Sequence, residues 1–531
     1  MAVTEAEPEP SAPHAEPSPE SGRQFGPVFY ISVGIAAAFV LAGVLFTTPF
    51  SRALAAVVGS ITKSLGWGYL LTATLVLAFV VFLAFSRYGK IRLGQPGEEP
   101  EFGRFSWFAM LFQAGMRIGL VFWGVSEPLL HYTNPPPFGQ APPGTPAAGN
   151  LAFQYAFFHW ALHPWAIYAA VGLAIAYFSY RRGVTSLRIS SVFRPLLGDR
   201  VDGPIGQAID VLAVLATLFG IAVSLGLGTL QIGAGLGEAF GLPTGVVVQL
   251  VIIGVTAVAY MLSASTPVDR GVRWLSNGSM VLAAILLVFF IVVGPTVLQL
   301  NVLTQGVGRY LGELIPMSLN TTAFDPNPWL GEWTIFFWAT WIGWSHYVGD
   351  FIARISRGRT IREFLLGVLI APSSFSVVWF AVLGGSAINL DRRVGGAISR
   401  AASGDEAIGL FAFLAEYPLP IVTSLVAIVL VWIFFVAGAD AGTIVLGSMS
   451  AGGTVDPRRL IKLTWGAIMA AVAAILLVVG GLDALQNAAI LAAGPFTVVL
   501  IAICWALYRA LARDARKEER GGDRPEPASE G

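Results

Sequence analysis

Arg117 stands in the middle of a long apolar run, 105–131, about 12 residues from one end and about 14 from the other. At 1.5 Å per helical residue its guanidinium lies roughly 18–20 Å from either end, too far to reach water by stretching. If the run spans a bilayer, a charge there costs at least about 2.5–3.5 kcal/mol and should face a protein interior or a wet cavity. It sits in Gly115-Met116-Arg117-Ile118-Gly119, with Gly124 beyond, and glycines weaken a helix by about 1 kcal/mol each. Two readings are open. One is a tightly packed helix whose arginine makes a structural ion pair. The other, preferred, is a broken helix of the kind that binds substrates and ions near the membrane midplane.

Two further runs concentrate aromatic residues. One carries His159-Trp160, His163-Pro164-Trp165 and Tyr168; Trp165 and Tyr168 are three apart and share a helix face. The other carries Trp333, Trp338, Trp341 and Trp344. An interfacial belt explains Trp333 well and Trp341 poorly, because Trp341 is deep in its run. Aromatic faces attract cations, and a cage of them binds quaternary ammonium groups. Cage and core packing both fit. Acids inside apolar runs are few: Asp210, Glu127 before Pro128, Asp350 and Asp440. His346 and Arg354 each lie four residues from Asp350, and the plain Asp350–Arg354 salt bridge is the preferred pairing. No metal-ligand spacing, nucleophile elbow or phosphate loop occupies an interpretable position, and neither cofactor nor metal is implied.

The elements that hold these residues follow from composition. Of 531 residues, 55% are hydrophobic and 12% charged, about half the charge of a soluble domain. The 32 Lys+Arg balance 32 Asp+Glu, which excludes a disordered chain and a nucleic-acid binder. One cysteine, Cys504, excludes a disulfide framework. The chain reads as an all-α integral membrane protein embedded in lipid. Residues 1–26 form an acidic, proline-rich tail expected to be disordered, without the basic start and cleavage site of a signal peptide. A span needs about 20 apolar residues. Twelve runs meet that scale: 27–49, 66–87, 105–131, 151–180, 205–234, 241–264, 274–299, 329–353, 361–387, 418–448, 459–482 and 484–510. Residues 303–318 and 395–416 read as helices lying outside. Connections assigned to the cytoplasm hold 18 Lys/Arg against six in the others, so both termini are expected to be cytoplasmic in a multi-pass protein of the cytoplasmic (inner) membrane.

Several stretches closely resemble the betaine/choline/carnitine transporter family. They are Trp333-Thr334 through Trp344 with the following Phe351-Ile352-Ala353-Arg354-Ile355-Ser356-Arg357-Gly358-Arg359-Thr360-Ile361-Arg362-Glu363-Phe364. Gly115-Met116 through Glu127-Pro128, His159-Trp160 through Tyr168, Ser224 through Gly228, Arg273 through Asn277 and Gly480 through Gln486 agree as well. The similarity covers about residues 28–510.

The resemblance implies a secondary transporter of twelve transmembrane helices, with a LeuT-like core of two inverted five-helix repeats and two extra N-terminal helices. The division would be two peripheral helices and a loop (27–104), a first repeat (105–299), an outer amphipathic connector (300–328), a second repeat (329–510) and a short cytoplasmic tail (511–531). It also implies a homotrimer and a small-molecule substrate of the glycine betaine, carnitine or choline class, often an osmolyte, carried by symport or antiport. By similarity Trp160, Trp165, Tyr168 and Trp341 form an aromatic box for a trimethylammonium group and Trp344 lies on the substrate path. The unwound Gly115–Gly119 backbone, with Met116 and Arg117, meets the substrate's other end. Three departures stand out. Many members have glycine at Arg117, and many have tryptophan at Thr340, so one aromatic wall is missing. Sodium-coupled members carry hydroxyl residues before the Ala-Asp of the tenth helix, where this chain has Ala437 and Gly438 ahead of Ala439-Asp440. A hard cation needs several oxygen ligands, so sodium coupling at that site is not expected. Arg117 would supply a fixed charge in its place or grip a substrate carboxylate through paired hydrogen bonds. A smaller amine, an amino-acid-like solute or a carboxylate is the alternative substrate. An anion channel and a membrane-embedded enzyme are the alternative classes; the enzyme lacks a converging carboxylate set.

Overall fold

The computed structural model describes residues 25–95, 97–115, 118–184, 188–265, 269–324, 327–454 and 456–522. Among them there is no strand, only a single antiparallel bridge between Arg92 and Thr360. The first helices are α1 (Pro27–Leu45), α2 (Thr47–Phe85), α3 (Arg104–Gly115), α4 (Ile118–Thr133), α5 (Pro146–Trp160) and α6 (Leu162–Ala176). A π-helical turn, Tyr177–Arg181, extends α6. The short α7 (Arg194–Leu197) precedes α8 (Pro204–Phe240), α9 (Val246–Ser265), α10 (Asp269–Val293), α11 (Thr296–Gly312) and α12 (Leu314–Ser318). Then come α13 (Phe336–Arg354), α14 (Ile361–Arg393), α15 (Ala397–Gly404), α16 (Gly409–Ala415), α17 (Pro420–Ser450) and α18 (Arg459–Gly522).

Among the described residues eight helical stretches are long and apolar enough to cross a membrane, nine if the bent pair Gly278–Val293 and Thr296–Gly312, at 109°, counts as one. The difference from the twelve apolar runs has identifiable sources. α18 holds two of them, separated by a kink where Gly481 adopts φ 58°, ψ −132°, a region open to glycine alone. α3 and α4 are short, and α13 carries His346, Asp350 and three tryptophans among its 19 residues. The polar stretch around Arg52 and Lys63, expected as a connection, is helical and belongs to α2. Its alanines and valines sustain the turn without a long apolar run.

The helices sort by burial. α1 and α9 are mostly exposed over their apolar windows, 28% and 22% buried, which is the condition of surfaces meant for lipid. The windows in α8 and in the α5–α6 stretch are 83% and 89% buried. α8 packs against α17 and α18, and α13 against α6 and α8. α13 approaches α6 so closely that a Cβ on Gly349 would stand 2.9 Å from the Gly172 nitrogen; one on Gly172 would stand 3.0 Å from the Gly349 carbonyl oxygen. Only bare backbone fits there. Thr360 and Glu363 form a capping box that starts α14.

Candidate functional site

The site begins with a break in helical hydrogen bonding. Pro164 has no N–H to give the carbonyl of Trp160, and Ala161 leaves helical geometry at φ −103°, ψ −113°. The Leu162 N–H freed by the break donates to the Tyr310 hydroxyl at 3.2 Å. Trp160 thus ends α5, while Trp165 and Tyr168 stand on α6 with ring centroids 5.3 Å apart, edge to face. α13 supplies the facing wall.

Trp160 meets Trp341 edge to face at 4.9 Å, and Tyr168 meets it at 6.2 Å and 84°. Phe337, one turn before Trp341, stacks beside it at 6.0 Å. The Trp341 indole N–H donates to the His159 carbonyl at 3.0 Å, fixing the ring. The Thr340 hydroxyl donates to the Phe336 carbonyl at 2.9 Å and is engaged by its own helix. On α4, a Cβ at Gly119 would come within 3.0 Å of the Trp160 ring.

Together these side chains enclose a cavity of about 50 Å³. A single water needs about 10–15 Å³, so the space exceeds one water and is on the scale of a small head group, not of a large solute. The structure brings Trp160, Trp165, Tyr168, Thr340, Trp341, Trp344 and Gly119 to its wall, and the described wall residues are uncharged. Met116 and Arg117 lie outside the described residues, so the expected unwinding there has no description. Gly115 closes α3 and Gly119 lies in the first turn of α4. Ala437, Gly438 and Asp440 are on α17 and are not among the described wall residues. There Asp440 Oδ2 accepts from the Ser263 hydroxyl at 3.0 Å.

Sequence reasoning missed Trp123, Ser224, Phe337 and Ser376, which also line the cavity. Phe337 was findable from its four-residue spacing to Trp341, and Ser224 opens the Ser224–Gly228 stretch. A second group lies behind Trp160. Its indole N–H donates to Glu127 Oε2 at 2.7 Å, and Glu127 Oε1 is 2.7 Å from His159 Nδ1 and 3.5 Å from His131 Nε2. The donor atoms of Glu127, His131 and His159 all lie within 4.8 Å of one another. Ligands of a tetrahedral ion at about 2.0–2.1 Å stand roughly 3.3 Å apart, so the 2.7 Å contact is that of a hydrogen bond. Farther along α13, Asp350 pairs with Arg354 at 2.9 Å, the plainer of its two expected pairings.

The sequence as a whole matches the betaine/carnitine/choline family transporter profile over residues 27–516. The chain belongs to that family. It is 48% identical over 504 residues to the glycine betaine transporter OpuD of Bacillus subtilis, covering 94% of this chain and 97% of that one. It is 40% identical over 494 residues to an ectoine/hydroxyectoine transporter of Virgibacillus pantothenticus, with 93% and 98% covered. It is 37% identical over 501 residues to a high-affinity choline transport protein of Escherichia coli, with 93% and 73% covered. As a betaine/carnitine/choline family member it is a multi-pass membrane transporter of small molecules, and not an enzyme.

Proposed function

We propose that this transporter moves glycine betaine, or a closely related quaternary-ammonium or zwitterionic solute, across the cytoplasmic (inner) membrane by secondary active transport with alternating access. The observation that carries the reading is the cavity, whose aromatic faces come from both α6 and α13 and whose described wall bears no charge. An onium group there is held by ring quadrupoles. The names of two relatives, at 48% and 43% identity, specify glycine betaine. In this reading Trp160, Trp165, Tyr168 and Trp341 hold the onium head, Trp344 borders its path, and Arg117 receives the carboxylate. The twelve apolar runs are twelve spans, arranged as two inverted five-helix repeats in 105–299 and 329–510 behind two peripheral helices. Both tails are cytoplasmic, and three copies associate.

Transport is not driven by sodium at the α17 position, because Ala437 and Gly438 offer no side-chain oxygen there. Purified protein in liposomes, loaded with glycine betaine and assayed for counterflow with labelled glycine betaine, tests both parts. Saturable counterflow that is indifferent to a sodium gradient is expected. Unsaturable flux would identify a channel, and strong sodium dependence would sink the coupling argument. Thr340 supports a second reading, since a wall without a further tryptophan leaves room for an amino-acid-like solute such as ectoine. Counterflow with ectoine and not with glycine betaine would favour it.

A further inference from the structure

Glu127, His131 and His159 are completely buried on α4 and α5, with no exposed surface. Their hydrogen bonds can be counted. With Nδ1–H donating to Glu127 Oε1, His159 is neutral when Nε2 accepts from the Thr334 hydroxyl at 2.9 Å. Glu127 Oε2 takes the Trp160 N–H. Among the described residues neither nitrogen of His131 has a hydrogen-bond partner, and its ring is packed against Trp333 at 4.4 Å and Trp329 at 5.2 Å. In this state the group carries one negative charge, and among the described residues no Lys or Arg pairs with it. A buried carboxylate held only by neutral donors is costly. One added proton removes the net charge: an imidazolium at His131 would sit 3.5 Å from Oε1.

We propose that Glu127, His131 and His159 together hold one exchangeable proton, and that this proton and an onium group in the aromatic cavity oppose each other across the Trp160 indole. The inference rests on the onium reading of the cavity. Trp160 connects the two places: its ring lines the cavity and its N–H bonds the carboxylate. An unprotonated cluster puts negative charge behind the ring and strengthens its attraction for a cation. Protonation cancels that charge. By linkage, whatever the proton does to onium affinity, the onium does equally to proton affinity.

Other titratable groups lie on or beside the elements packed against α4 and α5, α11 with Arg309 and Tyr310 among them. α5 brings Tyr155, 6.0 Å from the His159 ring, and α6 brings His163, which is hydrogen-bonded to the Ser318 hydroxyl at 3.0 Å. Asp210 on α8, Asp391 on α14 and Asp440 on α17 are each bonded elsewhere, to Ser190, Ser399 and Ser263. On α15, Arg400 bonds the Gly395 carbonyl. Near the start of α13 stands Glu332, and the turn before α16 carries Glu406, whose carbonyl accepts from Ser126 and whose carboxyl is pushed up by burial.

The test is glycine betaine affinity of the purified full-length protein, measured by calorimetry from pH 5 to 8, where the ligand itself does not titrate. Affinity is expected to be at least about tenfold weaker at pH 5, with a slope of up to about tenfold per unit, the limit for one linked proton. Glu127→Gln, a fixed neutral side chain, should abolish the slope, and Glu406→Gln should keep it. His131→Gln, which removes a ring making no hydrogen bond, should also flatten it and guards against misfolding of the first variant. A flat wild-type profile, or a slope that survives in both cluster variants, overturns the inference. Absence of binding at every pH refutes the onium reading instead. Dye titration of the ligand-free protein then decides the proton site: wild type should take up about one proton more than His131→Gln over this range, and equal uptake overturns it.

Discussion

Two cavities among the described residues are of opposite character, and the smaller is the more informative. The outer one, between the 138–155 stretch and α11–α12, encloses about 370 Å³ and is edged by Arg309, Glu313, Gln154 and Asn320. The aromatic one encloses about 50 Å³ and has tryptophans on four helices, α4, α5, α6 and α13. Size favours the first; specificity favours the second. A roomy polar pocket exchanges water for a polar solute at little gain. A narrow aromatic one offers a cation something water cannot, a fixed set of ring faces with no competing charge on the described wall.

That contrast can be broken by substitution. The largest effect is expected at Trp341, which touches Trp160, Tyr168 and Phe337. A desolvated cation–π contact is worth about 2 kcal/mol, so Trp341→Ala should weaken glycine betaine affinity roughly 30-fold or more, as read by calorimetry, while Trp341→Phe recovers part of it. Equal affinity in wild type and Trp341→Ala would remove the aromatic cavity from consideration. A smaller effect is expected for Gly119→Ala, whose new methyl must displace the Trp160 ring by a few tenths of an ångström. Its uptake KM should rise a few-fold with the fold intact by thermal unfolding. The smallest belongs to the outer pocket: Arg309→Ala combined with Glu313→Ala should change uptake by less than about twofold, and a larger loss would move the weight of recognition outward.

Much of the aromatic cavity was legible because tryptophan deep in an apolar run is unusual and because helical spacing puts Trp165 and Tyr168 on one face. The thirteenth helix was legible for the same reason. The polar cluster was not. Glu127 reads in sequence as the end of one run and His159 as a neighbour of Trp160, and nothing local says that a carboxylate 32 residues away meets that imidazole. Helix crossings decide it, through side chains without periodicity. The kink at Gly481 and the 39-residue length of α2 were hidden for a related reason: hydropathy measures where a chain is apolar, while continuity depends on single backbone angles.

The bare contact between Gly172 and Gly349 has a mechanical consequence. Tyr168 lies four residues from the first and Trp344 five from the second, about 6–8 Å along their helices. At that lever arm a tilt of about 10° between α6 and α13 shifts the facing rings by about 1 Å. Neither glycine has a side chain to interlock the helices there, so rolling one on the other would break no hydrogen bond within either helix. The aromatic jaws stand just beyond this fulcrum, where a small rotation is enough to part them.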